Sequence, residues 1–392
     1  MTNSTDETTG HDWRAEFPVN DECVYLNHAA VAPWPESARR AVSDFATENV
    51  ALGASQYPQW LSVEQSLKRN IEQLIDAPSG SVALVKNTSE ALSFVAYGLQ
   101  WQAGDVVVIS DQEFPSNRIV WESLADKGVK VVEVSLPEHD PEAELLAAIA
   151  QKPRLLSISA VQYATGLRLD IERLGQACRQ HNVLFCIDAI QAVGAQPFSV
   201  VQNLCDFAMA DGHKWMLGPE GLGFFYVRPE VMDQLSIMEY GWHMVADAGN
   251  YTTREWQPAG DARRFECGSP NMLGAYALNA STGLLLKVGL PQVEYAIAER
   301  IQYLRDGLAE LGAQFVNPLL EQRPCGILTF HFWQADSAKM YQLLMRSGVI
   351  CANRGGGIRF SPHFHTPQET LDEAIEAVAE IHQMVMTSGS YR

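Results

Sequence analysis

The chain has 392 residues, with 47 Asp or Glu against 28 Lys or Arg and a formal charge of −19. That length holds two or three domains around a sizeable core, and the anionic balance argues against nucleic acid or an anionic membrane as partner. Seven scattered cysteines without a CxxC pair suit reduced thiols in a cytoplasmic protein, not a disulfide or zinc framework. No signal peptide and no apolar run of bilayer length is read, so no membrane partner is expected.

The first dozen residues are polar and Thr-rich, which predicts a mobile tail. Strands are then predicted at Val82–Val85, Val106–Ser110, Val131–Val134, Leu155–Ala160, Val183–Asp188, Phe207–Ala210 and Gly223–Val227. Amphipathic stretches such as Glu142–Ala150 and Ile171–His181 separate several of them, so an α/β layered domain around a largely parallel sheet is expected. After about Gly268 the texture changes to long helices (Leu273–Val288, Gln292–Leu311) and short strands near Gly326–Phe332 and Val349–Arg359. These predict a smaller α+β domain.

Ligands of open parallel sheets sit beyond the carboxyl ends of the strands. Lys214, in Asp211-Gly212-His213-Lys214-Trp215, follows one such strand, badly placed for a solvated face and well placed to form a Schiff base. Asp188 ends another, where a buried carboxylate needs a cation or donor. A lysine imine together with a carboxylate for a protonated ring nitrogen is the requirement of pyridoxal phosphate. Thr88 and Ser89, at a strand-to-helix junction, offer hydroxyls and free N–H groups for its phosphate, or are ordinary helix caps. Phe114 would stack on the ring or is a core-edge aromatic. Asp188 would hold the pyridine nitrogen or cap a helix starting near Gln191, and Gln191 reaches toward the phenolic oxygen. His213 serves the phosphate or lies against the ring. Arg359, after the Gly355-Gly356-Gly357 turn, is the guanidinium for a substrate α-carboxylate, or it and Arg354 are structural ion pairs.

Together Asn87-Thr88-Ser89-Glu90-Ala91, Glu113-Phe114-Pro115-Ser116, Asp188-Ala189-Ile190-Gln191, Gly212-His213-Lys214, Arg264 to Asn271 and Gly357-Ile358-Arg359 resemble the class V aminotransferases. That family includes cysteine desulfurases, isopenicillin N epimerase-like proteins and kynureninases. The resemblance implies the fold type I architecture of pyridoxal phosphate enzymes, with a mostly parallel seven-stranded sheet and a homodimer with sites at the interface. It divides the chain into a tail (1–18), an N-terminal segment packing on the small domain (19–40), a large domain (41–285) and a small one (286–392). It implies Lys214, Asp188 and Phe114 as the catalytic groups, with Thr88, Ser89, Gln191, His213 and the partner subunit's Ser269 completing the cofactor site. Arg359 and His28 would border the substrate, and no metal is implied.

The departures narrow the branch. Desulfurases carry a cysteine on a mobile loop before the arginine, whereas the span from Gly348 to Arg359 is short and its one thiol, Cys351, falls in a predicted strand. Phe114 stands for their ring-stacking histidine, Tyr163 for an asparagine and Asp211 for a phosphate-binding serine, so Asp211 is expected to point away from the phosphate. The expected reaction is Cα deprotonation of a small α-amino acid followed by C–S or related β-elimination. Transamination and epimerisation are the alternatives, and a catalytically silent interaction protein is the alternative from another class. A nicotinamide enzyme is disfavoured, because Gly218 to Gly223 precedes a strand and lacks the GxGxxG order.

Overall fold

The computed structural model describes residues 13–252 and 254–389. A two-residue strand, β1 (Val24–Tyr25), comes first. The main sheet then collects β2 (Val82–Val85), β3 (Val106–Ser110), β4 (Lys130–Val134), β5 (Leu155–Ser159), β6 (Leu184–Asp188), β7 (Phe207–Asp211) and β8 (Gly223–Val227). Their order is β2-β8-β7-β6-β5-β3-β4, with β8 antiparallel to both neighbours and every other pairing parallel. This is the expected seven-stranded α/β sheet, its strands displaced from prediction by at most one residue at an end.

Strands β5, β6, β7 and β8 are buried along their whole length, as mainly apolar strands covered on both faces must be, and the Ser157 hydroxyl within β5 is met by Asn117. Because side chains alternate, the runs feed two cores. Leu156, Ile158, Phe185 and Ile187 enter one, and Leu155, Cys186, Phe207 and Met209 enter the other. The first core continues into the C-terminal part through Phe330, Phe360 and Phe364.

Helix Met272–Val288 packs on helices Glu36–Leu52 and Tyr57–Leu74 and ends at Gly289, whose φ of +87° starts helix Leu290–Glu310 at a new angle. Beyond it, β9 (Gln314–Phe315), β10 (Leu328–His331), β12 (Ala352–Arg354) and β13 (Gly357–Phe360) form an antiparallel sheet ordered β12-β13-β10-β9. The remaining strand, β11 (Val349–Ile350), pairs in parallel with β1, so the N-terminal segment is stitched to the C-terminal unit.

The tail is shorter than expected. Trp13 stands edge-on to Phe364 at 5.3 Å, and Phe17 is fully buried with its ring 3.5 Å from that of His365. Trp13 and Phe17 therefore anchor this segment, because their two rings find an aromatic pocket, and residues 1–12 lie outside the described residues. No described helix is long and apolar enough to cross a membrane.

Candidate active site

Four carboxyl-end positions of the parallel strands converge. Phe114 follows β3, Tyr163 follows β5, Asp188 ends β6, and Lys214 lies one short turn beyond β7. The Lys214 Nζ sits 5.8 Å from the centroid of the Phe114 ring. Burial lowers the Lys214 ammonium to about 8, helped by the positive charge of Arg359 and opposed by Asp188 and Asp211. A sizeable fraction of free amine near neutrality is what a nucleophile and base requires.

Asp188 is 2 % exposed and accepts one bond, from the Ile190 backbone N–H at 3.1 Å. Burial raises it to about 6. Residues 189–196 form turns, so no helix is there for Asp188 to cap. A buried carboxylate with a single donor suits a protonated ring nitrogen.

The cap of helix Thr88–Gly98 is Asn87, whose side chain accepts from Glu90 N at 2.9 Å, while Glu90 accepts from Lys86 N. Thr88 is thereby released from capping, and its buried Oγ1 has no partner. Ser89 is exposed and donates to Ser116 at 2.8 Å. His213 Nδ1 lies 3.2 Å from Asp211 Oδ1, yet the two are misaligned and neither makes a hydrogen bond. Asp211 is thus buried beside His213.

Gln191 is more occupied than its sequence position suggests. Its Oε1 accepts from Trp215 Nε1 at 2.8 Å and its Nε2 donates to the Ala29 carbonyl at 3.0 Å, which leaves one amide N–H for a cofactor oxygen.

Arg359, on β13, is 2 % exposed and donates from Nη1 to the Tyr163 carbonyl at 2.6 Å. Its buried Nε has no partner among the described residues, so the Nε–Nη2 edge is open to a carboxylate. Burial, with the charge of Arg354, lowers it to about 10. The Tyr163 ring stands edge-on to Phe114 at 5.1 Å.

His28 requires a correction. It is fully buried, its Nδ1–H donates to the Ser361 carbonyl at 2.9 Å, and its Nε2 accepts from His365 Nε2–H at 3.2 Å. Asn20 Nδ2 in turn reaches His365 Nδ1 at 3.4 Å, and His363 spans Phe364 N and the Trp215 carbonyl. Three neutral histidines tie the N-terminal segment to the C-terminal unit and to the Lys214 turn. Burial lowers His28 to about 4. With both nitrogens taken it has no face for a substrate.

Ser269 lies elsewhere in the chain's fold. It is exposed and lines a cavity of about 130 Å³ that also takes in Glu64, His243 and Glu266. Glu113 is a position that sequence reasoning misses. Its carboxylate accepts five bonds, from Ser110, Asn117 and Gln162 side chains and from both the N–H and the hydroxyl of Ser159. It fixes the turns that carry Phe114 and Tyr163. Its only sequence signal is its place beside Phe114, which an exposed glutamate shares.

The residues fit pyridoxal phosphate: an amine poised near neutrality, a buried carboxylate with a single donor, and orphaned polar atoms on Thr88 and His213. The family profile for aminotransferase class V matches residues 24–373. The chain belongs to the class V aminotransferase family. Members of this family are pyridoxal phosphate enzymes, and this chain is one of them.

Among similar proteins, a probable cysteine desulfurase of Methanothermobacter thermautotrophicus is 29% identical over 95% of this chain and 98% of its own. An uncharacterized aminotransferase of Bacillus subtilis, YcbU, is 27% identical over 94% and 96%. A cysteine desulfurase from Thermococcus onnurineus NA1 has the same fold, with a TM-score of 0.86 at 22% identity over 98% of this chain and 99% of that one.

Proposed function

We propose that the protein is a carbon–sulfur lyase that cleaves a small sulfur-bearing α-amino acid without a cysteine relay. The observation that carries this is the meeting of Lys214, Asp188 and an open Arg359 edge at a place whose neighbouring thiol is inert. Cys351, one residue before the Ala352 that pairs with Arg359, is 2 % exposed and raised by burial to about 12. The sulfur therefore leaves as a free thiol or persulfide. Similarity to cysteine desulfurases, and the shared fold of a cystine C–S lyase (TM-score 0.86, 21% identical over 93% of this chain and 99% of that one), support the sulfur chemistry.

Bound pyridoxal phosphate supplies the electron sink for the pair left on Cα. Lys214 holds the aldehyde at rest and, once displaced, its amine takes the Cα proton. The Cβ–S bond breaks as the Cα=Cβ bond forms, and the Lys214 ammonium returns the proton to sulfur. Asp188 would keep a proton at the ring nitrogen, Arg359 would hold the α-carboxylate, and Phe114, 5.8 Å from the Lys214 Nζ, would offer an aromatic face to the ring. Thr88, Ser89 and His213 take the phosphate, with the second protomer of a homodimer supplying Ser269. Seven unpaired cysteines suit a cytoplasmic setting.

Incubation of the purified holoenzyme with cysteine, cystine, alanine and kynurenine tests the reading. Pyruvate with sulfide or persulfide, formed without added keto acid, is expected. Turnover that requires a keto acid would make it an aminotransferase.

A further inference from the structure

Arg354 and Arg359 lie on one antiparallel hairpin, β12–β13. Arg359 pairs with Ala352 and Arg354 with Gly357. In such a ladder directly paired residues share a face, as do residues two apart on a strand, so both arginines are on the same face as diagonal neighbours. The hairpin turns through Gly355 and Gly356, with φ of +59° and +79°, and a Cβ on Gly355 would come 2.9 Å from the Ala164 carbonyl. The tip thus rests beside Tyr163, which holds Arg359.

Two like charges placed diagonally are unfavourable unless an anion joins them. In a chain with a formal charge of −19, an arginine readily finds an acid. These two do not. Among the described residues Arg354 bonds only its neighbour's carbonyl, Asn353 O at 2.9 Å, and Arg359 only that of Tyr163. Arg359 is buried with an orphaned Nε, and Arg354 is exposed at the outer end of the same face.

We propose that the pair is a two-cation cradle, with Arg359 taking the α-carboxylate and Arg354 a second carboxylate at the far end of the substrate side chain. Resting on the C–S lyase reading, this makes the preferred substrates cysteine S-conjugates that end in a carboxylate. The outer group is selected by charge, and the rest of the wall, Phe114 and Tyr163, is aromatic.

Two measurements on the holoenzyme test it separately from the reaction type. Calorimetric binding of succinate, glutarate and adipate is compared with that of their monoamides, which needs no turnover. At least one diacid should bind about tenfold tighter than its monoamide. Kinetically, S-carboxymethylcysteine should exceed the isosteric S-carbamoylmethylcysteine in kcat/KM by a similar factor. Arg354→Gln should bring both ratios to within about twofold of unity, and Arg354→Lys should retain part of them. Wild-type ratios near one, ratios untouched by Arg354→Gln, or an equal loss for acid and amide would each overturn the cradle. If the diacids discriminate as stated while no conjugate is cleaved, the cradle stands and the lyase reading falls.

Discussion

Asp188 carries a cost in the fold that its function explains, and Asp188→Asn exposes both. The carboxyl is 2 % exposed, accepts a single backbone bond, and is raised by burial from 3.8 to about 6. A folded value above the unfolded one means the folded state prefers the protonated acid. Stability assured below pH 3.8 is then lost as the pH rises to about 6 and stays lost above it. About two pKa units at 1.36 kcal/mol each make the ionised group cost the cofactor-free protein about 3 kcal/mol at neutral pH. The neutral amide of the variant avoids that cost. For a chain of this length about 3 kcal/mol corresponds to roughly 4 °C in melting temperature. The cofactor-free variant should therefore melt higher than wild type at pH 8, with the gap closing toward pH 4. Pyridoxal phosphate should raise the melting temperature of the variant less than that of wild type, because the ring nitrogen has lost its anion. Paired thermal scans at pH 4.5 and 8, with and without cofactor, check this. A cofactor-free variant no more stable than wild type at pH 8, or a gap independent of pH, would refute the reasoning.

Lys214→Ala should abolish covalent cofactor attachment, read as loss of the borohydride-fixed label at residue 214 by peptide mapping. Because burial lowers Lys214 to about 8, the free amine grows as the pH rises, so the rate of cofactor loading should climb through pH 8 and level off above it. Thr88→Val removes a hydroxyl that has no partner among the described residues, so cofactor affinity should weaken about tenfold while cofactor-free stability holds, measured by titration and thermal scan. Arg359→Gln should raise KM for the α-amino acid about a hundredfold with a smaller effect on kcat, in steady-state assays. His28, lowered from 6.5 to about 4, contributes stability that is full above pH 6.5 and lost as the pH falls to 4. His28→Gln should flatten that acid limb in denaturation followed against pH.

Most of the main sheet was legible because its inner strands are short, mainly apolar runs buried on both faces, as in Val106–Ser110 and Phe207–Asp211, whereas the edge strand β4 is partly exposed and carries Glu133. The pairing of the two-residue strands β1 and β11 was not legible, although β11 lies within the strand predicted near Val349–Arg359. Neither is long enough to show a period, and each exists only because Val24 and Val349 meet from opposite ends of the chain. The site divides the same way. Lys214, Asp188 and Arg359 announce themselves, since a charge ending an apolar strand or following a glycine turn must have a partner. His28 misled for the converse reason. Its partners Ser361 and His365 lie at the other end of the sequence, and nothing local separates a histidine that is satisfied from one that is free.

Hydrogen-bond satisfaction separates Glu113 and His28 from the groups that would face the cofactor and substrate. Glu113 takes five donors and His28 bonds Ser361 and His365 through its two nitrogens, and side chains met in this way hold geometry without themselves offering a vacant atom. Thr88, His213 and Arg359, by contrast, each keep a buried polar atom without a bond. An unmet buried polar atom costs roughly 1–3 kcal/mol, so three of them, with the anionic Asp188, oppose folding unless a ligand meets them. A molecule with a phosphate, a protonated ring nitrogen and an aldehyde meets the Thr88–His213 group, Asp188 and Lys214 at once. The Arg359 edge, which none of those groups reaches, is then left for the substrate.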